Sequence, residues 1–107
     1  MQLLIERVKN EGITALVCYN DYLAVKCYHA FDRAGMRIPE DISVIGYDDT
    51  ELAAASLPEI TSVTHPKDKM GERTANMVLD MVEEGQVNVC RFLYQPELVP
   101  RNSVKKC

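Results

Sequence analysis

The 107-residue sequence lacks the features of several protein classes. Its apolar runs fall short of the roughly 20 residues that a membrane-spanning helix needs, and the first residues, MQLLIERVKNEG, contain no uninterrupted apolar segment of the signal-peptide kind. The 12 Lys and Arg are outnumbered by 16 Asp and Glu and are scattered along the chain. Because phosphate binding needs clustered positive charge, we do not expect this segment to bind nucleic acid directly. The basic cluster Arg101, Lys105 and Lys106 is interpreted as a solvated terminus.

Cysteine spacing argues against a metal site. The four cysteines form no CxxC pair, and neither histidine stands at a zinc-finger spacing from them. We therefore expect neither a metal nor a cofactor. Cys18 lies in an apolar run and Cys27 on the apolar face of a predicted helix, which suits buried thiols in a reducing compartment. A cytoplasmic location, with no membrane partner, follows as an expectation.

Catalytic signatures are also missing. The sequence contains no GxSxG elbow, no GxxxxGK[ST] phosphate loop, no GxGxxG fingerprint and no HExxH helix. The pair Asp48-Asp49 could be offered as catalytic carboxylates, but adjacent residues at a turn usually point in different directions. Glycoside hydrolysis needs two carboxyls at a defined separation. We therefore do not expect an enzyme.

What is present is an alternation of short apolar strands with amphipathic helices. Strands are predicted at 13–19, 42–47 and 60–65, helices at 21–34 and 67–84, a short apolar piece at 51–57, and an extended edge segment at 91–99. The continuously apolar run 13–19 predicts a central parallel strand buried on both faces. The pattern predicts an α/β fold with an open, mostly parallel sheet flanked by helices. Because the chain begins inside a helix pattern, we expect a fragment.

Polar residues follow each predicted strand. Asn20-Asp21 follow the first, Asp48-Asp49 the second, and His65 with Lys67 the third. In open parallel sheets the ligand crevice lies beyond the carboxyl ends of the strands. Amide and carboxylate groups there suit sugar hydroxyls, since an amide both donates and accepts and a carboxylate can bind two vicinal hydroxyls. Taken singly, Asn20 and His65 could be only helix caps, and Asp48-Asp49 only turn formers.

The run ALVCYNDYLAVKCYHAFDRAGMRIPEDISVIGYDDTELA (15–53) closely resembles the effector-domain signature of the lactose/galactose-repressor family of bacterial transcription factors. The likeness continues through PEITSVTHP (58–66) and PELVPRNS (96–103) and so covers nearly the whole chain. The segment TSVTHPKDKMGE (61–72) looks most like arabinose-responsive repressors. The resemblance implies the C-terminal part of a periplasmic-binding-protein-like (type I) effector domain. Such a domain binds a small sugar and allosterically controls DNA binding by a separate N-terminal domain.

The resemblance also implies roles for particular residues. Asn20 and Asp48 would hydrogen-bond to sugar hydroxyls, with His65 next. Lys67 stands where the lactose-repressor type carries an aromatic residue able to stack on a sugar ring. This departure favours a smaller pentose held by hydrogen bonds, although Lys67 could simply face solvent.

The same resemblance implies an organisation of the chain. Residues 1–65 would be the core of the C-terminal subdomain, 66–95 a crossover helix and strand, and 96–107 the return and tail. Helix 21–34 and segment 51–57 would form a homodimer interface, with Leu52, Ala55 and Leu57 beside Tyr28 or Phe31. DNA would be contacted only through a domain absent from this chain.

Two other functions stay open. A periplasmic sugar-binding protein of a transport system shares the architecture, but cysteines without evident pairing and the run IPEDISVIGYDD (38–49) favour the repressor. An enzyme on an α/β scaffold has only the architecture in its favour, and architecture does not determine function.

Overall fold

A computed structural model describes residues 1–87 and 89–106. The elements are α1 (Gln2–Glu11), β1 (Ala15–Val17), α2 (Asp21–Arg33), β2 (Ser43–Tyr47), α3 (Glu51–Ala55), β3 (Thr61–Thr64), α4 (Lys67–Glu84) and β4 (Glu97–Val99). They divide into two compact units. The first contains residues 1–64 and the chain from 97 onward, and the second contains residues 65–96.

The first unit is built on one four-stranded sheet with the order β1-β2-β3-β4. β1, β2 and β3 run parallel, with Leu16 opposite Val44 and Ile45 opposite Thr61. β4 joins antiparallel to β3, with Ser62 opposite Val99. The predicted open, mostly parallel α/β sheet is therefore confirmed, and the predicted edge segment contributes its last residues as the edge strand β4.

The prediction that the first strand is central and buried on both faces was wrong. β1 lies at the edge of the sheet. Its residues alternate, because Leu16 is half-buried and Cys18 buried, whereas Val17 and Tyr19 are 72% and 85% exposed. A continuous apolar run indicates a buried segment but does not show how many neighbours a strand has.

The core of the first unit lies where α2 packs against β2 and contacts α1 and α3. It consists of apolar side chains from all of these elements and the segments beside them: Val8, Cys18, Ala24, Cys27, Phe31, Ile42, Val44, Ala53 and Ile60. The helical spacing of Ala24, Cys27 and Phe31 places them on one face of α2, which is the amphipathic pattern that the sequence predicts.

The C-terminal segment is tied into this sheet, which corrects part of the sequence interpretation. Ser103 is fully buried, and its Oγ accepts a hydrogen bond from Thr61 N (2.8 Å) and donates one to Val44 O (2.5 Å). The Arg101 side chain is only 16% exposed. Of the basic cluster predicted to be solvated, Lys105 and Lys106 are exposed, and Arg101 is not.

The second unit contains α4, whose bounds coincide with the predicted helix 67–84. The helix ends at Gly85, which takes the left-handed conformation (φ 66°) that favours glycine. The guanidinium of Arg73 lies 3.5 Å from the ring centre of Phe92, a cation-π contact.

Within the described residues, no helix combines the length and apolar composition needed to cross a membrane.

Replacing Ser103 by Ala should lower the free energy of unfolding by about 1–3 kcal/mol, because the buried Thr61 amide would lose its acceptor. Urea denaturation measures the change. Ser56→Ala is the matched control, since that hydroxyl bonds to Leu52 O at the surface and should cost less than about 0.5 kcal/mol. An equal loss of unfolding free energy in the two variants would show that burial of the Ser103 hydroxyl adds nothing to its effect on stability.

Candidate functional site

The loops that follow β1 and β2 leave the sheet at the same edge, because the two strands are parallel neighbours. Asn20 and Asp48 stand in these two loops. Asp48 lines a small cavity of about 360 Å³ together with Cys18, Tyr19 and Tyr47. The structure thus brings Asp48 beside the end of β1, as expected for residues beyond the carboxyl ends of parallel strands.

Asn20 caps helix α2. Its backbone is extended (φ −155°), and its Oδ1 accepts a hydrogen bond of 2.9 Å from Leu23 N. The capping role that sequence reasoning left open is therefore present. It uses only the side-chain oxygen, and the amide nitrogen of Asn20 is a separate donor group. Capping fixes the side chain in one orientation at the edge of the sheet.

The turn Asp48-Asp49 has an uncommon backbone conformation. Asp48 has φ 91° and Asp49 has φ 47°, both in the region that non-glycine residues seldom occupy. Such a conformation costs free energy and persists only when surrounding interactions hold it in place. Asp48 N donates to Val63 O at 2.9 Å, which extends the pairing of β2 with β3.

Three side chains from other elements hold the residues after Asp48. Ser62 Oγ accepts a hydrogen bond from Asp49 N at 3.1 Å. Arg101 Nη2 lies 2.7 Å from Asp49 Oδ1 in an ion pair whose side chains are 16% and 21% exposed. Asp21 Oδ2 accepts bonds from Thr50 N (2.6 Å) and Thr50 Oγ1 (2.9 Å). The turn is therefore fixed from α2, from β3 and from the C-terminal segment.

Asp21 is the centre of this network. Its side chain is fully buried, and Oδ1 accepts a further bond of 2.6 Å from Ser62 Oγ. The fit against β2 is close, because a Cβ on Gly46 would overlap Asp21 Oδ1. A buried carboxyl requires such partners, since its transfer from water is otherwise very costly.

The cavity wall contributed by Cys18 is neutral. Cys18 Sγ lies 4.0 Å from Cys27 Sγ, and both thiols are free and buried. The hydrogen bond to Cys27, together with burial, raises the pKa of the Cys18 thiol well above its usual range. Cys18 therefore stays protonated at neutral pH and adds an apolar surface beside Asp48.

His65 and Lys67 belong to the second unit. His65 is half-buried and Lys67 is exposed, and Lys67 N donates to His65 O at 2.7 Å. The N-cap position of α4 is taken by Pro66, so the alternative interpretation of His65 as the cap was wrong. Proline is tolerated there because the helix uses only its carbonyl, which accepts a hydrogen bond from Met70 N, and needs no N–H from that position. The grouping of His65 and Lys67 with Asn20 and Asp48 stays a prediction.

Sequence reasoning named Asn20 and Asp48 but missed the residues that position them. Asp21 was noted only as the neighbour of Asn20, Ser62 only as part of a strand, and Arg101 was assigned to solvent. No local spacing links these three residues, which are separated by at least 39 positions. The sequence contains only a weak signal for this network, namely an acidic residue at the first position of a helix and, later, a glycine in a buried strand.

Taken together, these features define an open α/β domain with polar residues beyond the carboxyl ends of its parallel strands. A comparison with protein families matches residues 1–104 to the periplasmic binding protein-like domain. Among curated proteins, the chain is 40% identical over 103 residues to the arabinose metabolism transcriptional repressor of Geobacillus stearothermophilus, covering 95% of this chain. It is 38% identical over 96 residues to the HTH-type transcriptional repressor PurR of Aliivibrio fischeri, covering 90% of this chain. The chain spans 28% of the length of each of these relatives.

Solved structures that resemble the chain are also transcriptional regulators. The transcriptional regulator CelR in complex with cellobiose is 28% identical, with a TM-score of 0.85 over 94% of this chain and 30% of that protein. A LacI-family transcriptional regulator from Enterococcus faecalis with bound ribose is also 28% identical, with a TM-score of 0.80 over 85% of this chain and 34% of that protein. The chain therefore belongs to the periplasmic binding protein-like domain family, in the form found in LacI-family regulators, which are not enzymes.

The ion pair between Arg101 and Asp49 gives a test of how the turn is held. Arg101→Met should lower the free energy of unfolding by about 1–3 kcal/mol, because a half-buried carboxyl loses its charged partner. Chemical denaturation measures the loss. The exposed Lys106→Met removes the same charge without a contact in the turn and should be neutral; a similar loss in both variants would point to net charge instead.

Proposed function

We propose that this chain is the C-terminal part of the effector domain of a sugar-responsive bacterial transcriptional repressor. In this proposal residues 1–65 form the core of one subdomain, 66–95 cross over to the other, and 96–107 return. A small sugar binds at the carboxyl edge of the sheet and changes the DNA affinity of a separate N-terminal domain. By linkage, operator binding would change sugar affinity by the same factor.

The observation that carries this proposal is the geometry of Asp48. Its residue type suits sugar hydroxyls, it lines a cavity at the carboxyl edge, and its backbone is held at φ 91° by the turn around it. Strained backbone clusters at functional sites, where the surrounding structure holds it in place. Asn20 supports the same site, since its capped orientation leaves the amide nitrogen to donate.

The sugar that we propose is a pentose of the arabinose kind. Support comes from the 40% identical arabinose repressor and from Lys67, which stands at a position where the resemblance to the lactose-repressor type would place an aromatic residue. Hydrogen bonds to hydroxyls would then supply most of the specificity, because a site built to bond to a hydroxyl rejects analogues that lack it. Asn20, Asp48, His65 and Lys67 are the proposed contacts.

The repressor interpretation includes a cytoplasmic location, where its DNA lies. Four cysteines without evident pairing in the sequence favour a reducing compartment over the oxidising periplasm of a transport protein.

Asp48→Ala should weaken sugar binding by the full-length protein by about 1.5–3 kcal/mol, the loss expected for a hydrogen bond to a charged group. Calorimetric titration against L-arabinose, D-galactose, D-ribose and D-xylose identifies the sugar and measures the change. Unchanged affinity in a folded protein would reduce Asp48 to a turn former.

Asn20 needs a pair of variants, because it also caps α2. Asn20→Ser keeps a good capping oxygen and removes the amide donor, whereas Asn20→Ala removes both. Weaker sugar binding in both variants, with a lower melting temperature only in Asn20→Ala, is the expected result. A loss of stability without a loss of affinity would leave capping as the whole role.

The same proposal includes a two-fold dimer through helix 21–34 and segment 51–57. α2 and α3 border an open groove of about 750 Å³, lined mostly by apolar side chains that include Val25, Tyr28, Leu52, Ala55 and Leu57. Leu52 and Leu57 are 44% and 91% exposed. Of the two aromatic alternatives, Tyr28 lines this groove, whereas Phe31 is fully buried in the core.

Leu52→Asp should weaken dimerisation of the full-length protein at least about tenfold, because burying a leucine contributes about 1.5–3 kcal/mol. Sedimentation equilibrium measures the dissociation constant. Leu3→Asp on α1 is the matched control, since Leu3 is also exposed but lies outside the groove. A monomeric wild-type protein, or equal weakening by the two variants, would exclude this interface.

A further inference from the structure

The interior of the first unit contains a carboxyl side chain with no direct place in the proposed sugar site. Asp21 is fully buried at the first position of α2. Its neighbour in sequence, Asn20, faces the edge of the sheet, and its hydrogen-bond partners lie in the turn after β2 and in β3. A buried carboxyl in a small domain is expensive, so its role needs an explanation.

The Asp21 carboxylate is the acceptor in each of these hydrogen bonds. Oδ2 accepts from the amide and the hydroxyl of Thr50, and Oδ1 accepts from the hydroxyl of Ser62. Ser62 Oγ in turn accepts from Asp49 N. A continuous path of hydrogen bonds therefore runs from the Asp49 amide through Ser62 to Asp21 and back to Thr50. It encloses the backbone that follows Asp48.

This path holds a backbone that would not keep its conformation unaided. Asp48 and Asp49 both have positive φ, and the bonds at Asp49 N and Thr50 N fix the chain at the two residues after Asp48. Gly46 allows β2 to approach Asp21 so closely that a Cβ there would displace the carboxyl. Contacts of the Asp21 side chain therefore connect strand β2, the Asp48-Asp49 turn and the start of α2.

We infer that Asp21 is a positioning residue for the sugar site, which binds no sugar itself but holds the Asp48-Asp49 turn in its binding geometry. The inference rests on the proposed function for the identity of the bound molecule. If the turn samples other conformations, apparent affinity falls in proportion to the fraction that stays competent. Asp21 thus acts on affinity through the turn.

The test uses Asp21→Asn and Thr50→Val in the full-length protein, with L-arabinose as the probe. Asn keeps the size of the side chain but has a single acceptor oxygen for donors that converge on two. We expect about a tenfold or greater rise in the dissociation constant for Asp21→Asn, the size of one lost hydrogen bond to a charged group. Thr50→Val removes one hydroxyl bond and should give a smaller rise.

Two controls separate positioning from general stability. Thr74→Val removes a hydroxyl that bonds to Met70 O within α4 and should leave affinity unchanged. Ile42→Val destabilises the core just before β2 begins, away from the turn. Its affinity for L-arabinose should match that of the wild-type protein even though its melting temperature falls.

A second readout needs no sugar. Amide hydrogen exchange at Asp49 and Thr50 in the sugar-free protein should become faster in Asp21→Asn and stay unchanged in Ile42→Val under native conditions, because local opening of the turn exposes these amides.

Two results of the affinity measurements would overturn the inference. One is wild-type affinity for L-arabinose in a folded Asp21→Asn protein, and the other is an affinity loss in Asp21→Asn equal to that in Ile42→Val. If the wild-type protein binds none of the four sugars, the proposed function fails. The exchange result then tests only whether Asp21 holds the Asp48-Asp49 turn: faster exchange in Asp21→Asn supports that role, and unchanged exchange refutes it.

Discussion

The hydrogen bonds accepted by the buried carboxyl of Asp21 are the interactions on which the first unit depends at the carboxyl edge of its sheet. The carboxyl accepts hydrogen bonds from Thr50 and Ser62 and lies against Gly46, so it joins α2, β2, β3 and the turn between β2 and α3. The surrounding core is apolar and non-directional, and it would tolerate small shifts of the turn. The network has fixed donor and acceptor geometry, and a buried group that loses a partner incurs the full cost of desolvation. The network therefore restrains the conformation of the turn.

The arrangement of elements could be predicted from the sequence because it depends on local patterns. The spacing of Ala24, Cys27 and Phe31, the glycine that ends α4 and the alternation of strands with helices are all local signals. The position of β1 within the sheet is not local, and the apolar run 13–19 gave the wrong expectation of a central strand. The order of strands depends on which neighbours each one finds, and this information is spread over the whole chain.

Some residues of the candidate site could likewise be predicted from local patterns, whereas others could not. Asn20 and Asp48 could be proposed because each follows a strand directly, and the carboxyl ends of parallel strands share an edge. Arg101 was missed because its partner Asp49 lies 52 positions earlier, and a basic residue near a chain end ordinarily faces solvent. Ser62 was missed because a serine in a strand pattern has no distinguishing feature until a carboxyl is placed opposite it. Contacts between distant segments decide which polar residues are buried, and a single sequence contains no direct record of such contacts.

The first unit holds the Asp48-Asp49 turn through buried contacts. Asp48 belongs to a turn fixed by buried hydrogen bonds and a half-buried ion pair. Buried networks of this kind open only with the core. For the proposed ligand site this has a direct consequence. The residues of the first unit would present a preorganised surface, so little binding free energy would be lost in ordering them. In that proposal a conformational response to a ligand is expected in elements other than the Asp48-Asp49 turn, because the network already restrains that turn in the absence of a ligand.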